Sequence, residues 1–281
     1  MEHGALVARH EADGGVLGQP LCAHGDPLMT VTGYREVLCT VSGVNGRVLV
    51  PDTYNSLKRT TVVMYHGGVG ETETAATNDS LKEGIVQALV DAGCLVAAVN
   101  GYAGDDWGNQ TALDDYDAMY DFVSTRWDGD DVIILCQSMG GLSGLSAYAG
   151  NLYANVRGYV GIQPCTNLSA MFAANAGSYA SSIRTAYGIA ADGSDYATKT
   201  SGYDPNLYTT SVWSGKSFRF YASSGDTVVS KTNNSDAMLT KVTSGGASVA
   251  SVVSCTGNHG DPSHFQPFNL LGYMRSLGCF V

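Results

Sequence analysis

The sequence predicts an α/β fold: a mostly parallel central sheet with helices on both faces and a small inserted cap. Three observations carry this. Short apolar runs alternate with stretches of helical period, the pattern of strands and the helices that cover them. Runs such as "CLVAAVN" and "DVIILCQ" are apolar throughout, as strands buried on both faces are. One long polar stretch, Thr166 to Val212, interrupts the alternation.

The elements follow in chain order. Residues 1–33 lack the basic start and apolar core of a signal peptide and read as a loosely ordered arm. "YREVLCTVSGVNGRVLVPDTY" reads as two strands joined by a turn around Asn45-Gly46. "TTVVMYHGG" is a β-branched strand running into glycines. Asn78 or Asp79 caps a helix through Ala92, with Leu81, Ile85 and Leu89 on one face. "CLVAAVN" is a buried strand. From Asn109 to Trp127, Leu113, Tyr116, Tyr120, Val123 and Trp127 step by three or four, so a helix is expected. "DVIILCQ" is a strand, "MGGLSGLSAYAGN" a small-residue helix and "VRGYVGIQP" a strand again. "KSFRFYASSGD" and "ASVASVVSC" are two more strands, with a helix near Asp236 to Val242 between them. A last helix carries Phe265, Phe268, Leu271 and Met274. Residues 34–281 therefore form one α/β domain, with 166–212 as its cap.

Composition narrows the function. The chain has 281 residues, 44% of them hydrophobic, enough for a sizeable core. Its net charge of −11 and lack of a basic patch argue against nucleic acid or an anionic membrane as partner. No apolar run is long enough for a membrane span. Seven cysteines without CxxC spacing argue against zinc or a full disulfide framework, with a Cys22–Cys39 bridge the one candidate pairing. Cys94 and Cys136 sit in apolar strands as small core residues.

The chemistry concentrates where strands end. In "LCQSMGG" a serine stands between a strand and a helix. A sharp turn there lifts the Ser138 Oγ clear of the sheet, and Gly140 and Gly141 supply the room it needs. The helix behind it aims backbone N–H groups at whatever the serine attacks. The G-x-S-x-G pattern is met as Cys136-Gln137-Ser138-Met139-Gly140, with cysteine in place of the first glycine. A plain strand-to-helix connection is the alternative. "MYHGGVG" ends an earlier strand with glycines that let backbone N–H groups approach a ligand, or simply make a Gly-rich exit. "YASSGDTVVS" places Asp226 just after a strand, and "SCTGNHGDPSHF" places His259 just past the next one. A serine nucleophile needs a base, and that base needs a carboxylate to hold its tautomer. Asp261 competes with Asp226 for the acid. His264 competes with His259 for the base, but Pro262 and Ser263 read as the start of the last helix, which makes His264 a packing residue.

These residues resemble the α/β-hydrolase superfamily, over Tyr34 to the C-terminus. The resemblance rests on "HGG" at His66–Gly68, "CQSMGG", "SGDTVV" and "GNHG". "DDWGNQTALDDYDAMYDFV" is also similar to a group of bacterial and phage-encoded esterase-like members. The resemblance implies Ser138 as nucleophile, Asp226 as acid and His259 as base. It implies oxyanion donors at the N–H of Met139 and in the Gly68–Val69 turn. The segment 166–212 falls where the family carries its cap.

Other residues admit two readings. Tyr65, Tyr102 and Trp107 lie near strand ends, and Tyr179, Tyr187 and Tyr203 lie in the cap. They line an acyl or leaving-group pocket, or pack in core and rim. His66 structures its loop. His259, Asp261 and His264 have metal-ligand side chains, but no further ligand pattern accompanies them, so no metal or other cofactor is expected.

The reading that follows is a serine hydrolase acting on carboxylic esters, small or polymer-borne, through an acyl-enzyme. A peptidase or acyltransferase with the same three residues is the first rival. A non-catalytic binding or virion surface protein is the second. Substrate, oligomeric state and compartment, cytoplasmic or phage-associated, lie beyond the sequence.

Overall fold

The computed structural model describes residues 33–100, 105–174 and 179–279. Tyr102, Cys22 and nearly all of the 1–33 arm lie outside the described residues.

The chain opens with a hairpin, β1 (Tyr34–Val41) and β2 (Val44–Pro51), paired Val41 to Val44 across a two-residue turn. The turn is Ser42-Gly43, not Asn45-Gly46. Both turn residues hold positive φ, 49° and 84°, the twist that a two-residue hairpin loop requires. Asn45 and Gly46 belong to β2. Gly46 is small for a packing reason: a Cβ there would stand 2.8 Å from both Cys39 Sγ and Met119 Sδ. Cys39 itself is a buried free thiol.

Beyond the hairpin, strands and helices alternate. β3 (Thr61–His66), β4 (Leu95–Val99), β5 (Asp131–Gln137), β6 (Val156–Ile162), β7 (Ser217–Ser223) and β8 (Val249–Cys255) run parallel. The eight-stranded order is β1-β2-β4-β3-β5-β6-β7-β8, with β2 antiparallel to β4. Between β3 and β4 runs α1 (Ser80–Asp91), whose N-cap is Asp79: its carboxylate accepts from the N–H groups of Leu81 and Lys82. α2 (Gln110–Ser124), capped by Asn109, precedes β5, and α3 (Gly140–Ala149) follows it.

Strand periodicity sorts the core into two layers. Val62 and Met64 of β3 face α2 and α3 with Tyr116, Met119, Leu142 and Leu145. Val63 and Tyr65 face the opposite layer with Ile85, Leu89, Leu270 and Met274.

The stretch between β6 and β7 holds three short helices, α4 (Leu168–Ala174), α5 (Tyr179–Tyr187) and α6 (Tyr196–Lys199), then turns at Pro205–Leu207 and Thr210–Trp213. Leu168, Met171, Ile183, Tyr187, Ile189 and Trp213 join the α2/α3 core layer. α7 (Ala237–Ser244) links β7 to β8.

The last helix, α8 (Pro267–Ser276), starts later than Pro262. Pro262–His264 is a separate short turn, capped by Asp261, whose side chain accepts from the Ser263 N–H. α8 buries Leu270, Leu271, Tyr273 and Met274. Phe268 is 84% exposed because it falls on the outer side of that stripe, and Phe265 precedes the helix. Among the described residues no helix is long and apolar enough to cross a membrane.

Parallel strands put all their carboxyl ends on one edge. The chain moves from β3 outward to β4, then returns to the other side of β3 with β5. The crevice at such a switch in strand order is where open α/β sheets hold ligands.

Candidate active site

Ser138 stands at that crevice, one residue past the end of β5. Its φ is +49°, in the left-handed region that a serine enters only when its surroundings force it. Its N–H donates to Ile162 O (3.1 Å), and its carbonyl accepts from the N–H groups of Cys165 (2.8 Å) and Gly141 (3.0 Å). The turn is therefore clamped on both sides. Glycines are needed beside it. A Cβ on Gly140 would lie 2.3 Å from His66 O, and one on Gly141 would lie 2.4 Å from Cys165 O.

Asp226 and His259 come from the loops after β7 and β8. His259 Nε2 lies 3.0 Å from Ser138 Oγ, and its Nδ1 lies 2.8 Å from Asp226 Oδ2. The ionised carboxylate only accepts, so Nδ1 carries the proton and Nε2 faces the serine as acceptor. Burial pushes the Asp226 carboxyl up. The hydrogen bond from His259 and the N–H groups of Val229 and Val228 outweigh this and hold it below the usual range.

The two loops are tied to each other. Asn258 Oδ1 accepts from the backbone N–H and hydroxyl of Thr227, and Ser223 Oγ donates to Gly257 O at 2.7 Å. Gln163, at the end of β6 with φ 42°, accepts the Gly260 N–H on Oε1 at 2.7 Å. It steadies the residue next to His259, and no pattern in the sequence singles it out. Asp261 and His264 are turned elsewhere. Asp261 caps its own turn, and buried His264 donates from Nδ1 to Asp261 O at 3.0 Å. Among the described residues no group of three or more His, Cys, Asp or Glu is gathered to hold a metal ion.

The "HGG" turn lies against the elbow: a Cβ on Gly68 would be 3.6 Å from Ser138 Cβ. Gly68 and Val69 are both candidate donors by their place in the sequence. The Gly68 N–H is already given to Glu71 Oε2 at 2.6 Å, because the chain turns back on itself after Gly70. The N–H groups of Val69 and Met139 make no hydrogen bond among the described residues.

His66 is wholly buried and stacked on Tyr116, with ring centroids 3.6 Å apart. Ser143 Oγ donates to Gly140 O, so it accepts from His66 Nδ1 (3.1 Å), and Tyr153 OH donates to Nε2 (3.2 Å). This network needs a neutral ring, and burial lowers the pKa to about 3. His66 thus fastens the end of β3 to the start of α3.

The aromatic candidates divide. Trp107 is fully buried, its indole N–H donating to Ser182 Oγ at 2.7 Å, and buried Tyr187 donates its hydroxyl to Trp107 O at 2.9 Å. Both have their polar tips hydrogen-bonded inside the protein, where they join α5 to the segment before α2. Tyr65 is likewise buried, donating to Gln137 Oε1. Tyr203 is half-buried, its ring tilted 55° against that of Tyr187. Tyr179 is half-buried against the edge of Trp107. Burial raises its phenol pKa, as do Cys165, Asp105 and Asp226, so it stands within electrostatic reach of the site.

No protein-family model and no curated protein matches the sequence. Solved structures do match in fold. A thermostable esterase from Pseudomonas putida superposes with a TM-score of 0.61 at 16% identity, over 89% of this chain and 83% of that one. Carboxyl esterase 2 from the mycorrhizal fungus Tuber melanosporum gives 0.66 at 15% identity, over 92% and 90%. A prolyl endopeptidase gives 0.63 at 17% identity, over 90% of this chain but 39% of its own. The eight-stranded, mostly parallel sheet with its covering helices and these structural matches identify the chain as having the α/β-hydrolase fold, in the form seen in these esterases.

Proposed function

We propose that the protein is a serine hydrolase that cleaves carboxylic esters through an acyl-enzyme. One observation carries the reading: the unbroken hydrogen-bonded chain Ser138–His259–Asp226 at the carboxyl edge of the sheet. Ser138 Oγ attacks the acyl carbonyl carbon while its proton passes to His259 Nε2. Asp226 stabilises the imidazolium so formed. The N–H groups of Met139 and Val69 hold the oxyanion, and loss of one such donor typically costs about 10²–10³ in turnover. The intermediate collapses, the acyl–oxygen bond breaks, and His259 returns the proton to the leaving alkoxide. Water then attacks the acyl-serine with His259 again as base, which releases acid and frees Ser138.

Residues 34–281 act as one hydrolase domain, and 166–212 serve as its cap. Tyr179 is a cap residue within electrostatic reach of Asp226. The fold neighbours that are esterases support ester over amide chemistry. The test is labelling of the folded protein with a fluorophosphonate, followed by turnover of p-nitrophenyl acetate. Labelling of Ser138 and hydrolysis that Ser138→Ala abolishes support the reading. A folded protein that neither labels nor turns over is a binding protein.

A further inference from the structure

Glu71 lies outside the three residues above, yet it touches the turn that carries Val69. Its Oε2 accepts the Gly68 N–H at 2.6 Å, and its own N–H donates to Gly68 O at 3.3 Å. One residue therefore holds the peptide units on both sides of Gly68. The second matters for direction. In a trans peptide the C=O and N–H point opposite ways. Drawing Gly68 O toward Glu71 turns the Val69 N–H of the same peptide away from Glu71. Gly68 itself is sandwiched: an added Cβ would lie 3.6 Å from Glu71 Oε2 and 3.6 Å from Ser138 Cβ. The carboxylate also fills the space beside Gly67, where a Cβ would meet Oε2 at 2.7 Å.

A carboxylate this close to a developing oxyanion would oppose catalysis if left unpaired. It is not left so. Lys82, on the first turn of α1, forms an ion pair with Glu71 Oε1. The Lys82 side chain is 5% exposed and that of Glu71 14%. The ammonium is completed by Asn78 Oδ1 at 2.8 Å and Asp79 Oδ2 at 3.2 Å. The turn is thereby tied to the capped end of a helix, with the Lys82 ammonium set directly against the Glu71 carboxylate.

We propose that Glu71 is the positioning residue of the oxyanion hole, holding the Gly68–Val69 peptide so that the Val69 N–H faces the acyl oxygen at Ser138. This rests on the serine esterase reading. Glu71 does not touch substrate. It acts through Val69, and Lys82 keeps its charge from reaching the oxyanion.

The experiment measures kcat and KM for p-nitrophenyl acetate and the inhibition constant of phenylboronic acid, which forms a tetrahedral adduct on the serine. Wild type, Glu71→Gln, Glu71→Ala and Ser138→Ala are compared, each at a concentration of folded protein set by circular dichroism. Glu71→Gln keeps an oxygen for the Gly68 N–H and retains turnover within about fivefold, whereas Glu71→Ala loses about 10–10²-fold in kcat with KM within about threefold. Boronic acid affinity falls in step with kcat/KM. A folded Glu71→Ala with wild-type kcat and boronate affinity overturns the inference, as does a loss confined to KM. If Glu71→Ala does not fold, Glu71→Asp takes its place: one methylene shorter, it cannot span Gly68 and Lys82 together, and wild-type turnover in it overturns the inference equally. Absence of Ser138-dependent turnover in the wild type overturns the esterase reading and this inference with it. Turnover in the wild type with no Glu71 effect overturns this inference alone.

Discussion

A methyl group added to Gly144 would stand 2.1 Å from the sulfur of Cys136. Cys136 occupies the place of the first glycine in the G-x-S-x-G pattern, and Gly144, one turn into α3, makes the space that its thiol fills. The helix still packs close behind Ser138 because smallness has moved from the strand to the helix.

This exchange predicts a measurable coupling. Gly144→Ala gains helix propensity of about 1 kcal/mol, but the overlap dominates, and a net loss of about 1–2 kcal/mol is expected. Cys136→Gly loses about 1–3 kcal/mol by opening a void and loosening β5. The double variant should lose less than the two single losses added together, by about 1 kcal/mol or more. Urea denaturation of the four proteins checks this, and additive losses would disprove the contact.

Ser138→Ala should abolish ester hydrolysis with little change in melting temperature, since the side chain's one strong partner is His259. Retention of more than a few per cent of wild-type turnover contradicts the nucleophile assignment. His259→Ala should behave alike in turnover and labelling. His264→Ala should cost stability instead, because His264 is buried in its own turn.

Asp226→Asn should leave the fold intact and cut turnover by about 10⁴-fold, the size seen when a triad carboxylate is made neutral and the histidine takes the wrong tautomer. Asp261→Asn should alter turnover little, since that carboxylate serves Ser263. Steady-state kinetics of both variants decide it, and the reverse ranking would transfer the role to Asp261.

His66 makes stability depend on pH. Burial holds its ring neutral in the folded protein down to about pH 3, while the unfolded chain takes up the proton near 6.5. Between those values the unfolded state binds more protons, so stability falls as the pH falls, by roughly 1.4 kcal/mol per unit. The contribution is fully present above pH 6.5 and lost on descent toward 3. His66→Gln removes this slope while keeping polar contacts. Denaturation midpoints of both proteins at pH 4.5 and 6.5 measure it; equal slopes would show that His66 is protonated in the folded state.

Tyr179→Ala should change relative rates across acyl chain lengths more than it changes stability, because Tyr179 is half-buried beside the site. Tyr187→Phe should cost stability through its bond to Trp107 O and leave chain-length preference alone. A panel of p-nitrophenyl esters read beside melting temperatures separates the two.

What the sequence determined by itself was the local layer. Runs such as Asp131–Gln137 are apolar enough to be strands buried on both faces, Asn78 or Asp79 marks the start of one helix and Asn109 that of the next, and Gly140 and Gly141 announce a tight crossing. These are short-range properties, decided by side-chain period and backbone freedom, and the parallel sheet follows from them. The hairpin turn was misplaced by three residues because Ser42 can be driven into positive φ by the strands on either side, and no propensity records that. Only the tertiary structure decided which strands lie side by side, and so that Asp226 and His259, 33 residues apart, and Ser138, 121 residues from His259, come within hydrogen-bond reach. It also decided that Trp107 and Tyr187 are spent inside the core, and that Glu71 takes up the Gly68 N–H. Side-chain partners across such separations depend on how layers stack, and stacking is a property of the whole chain rather than of any stretch in it.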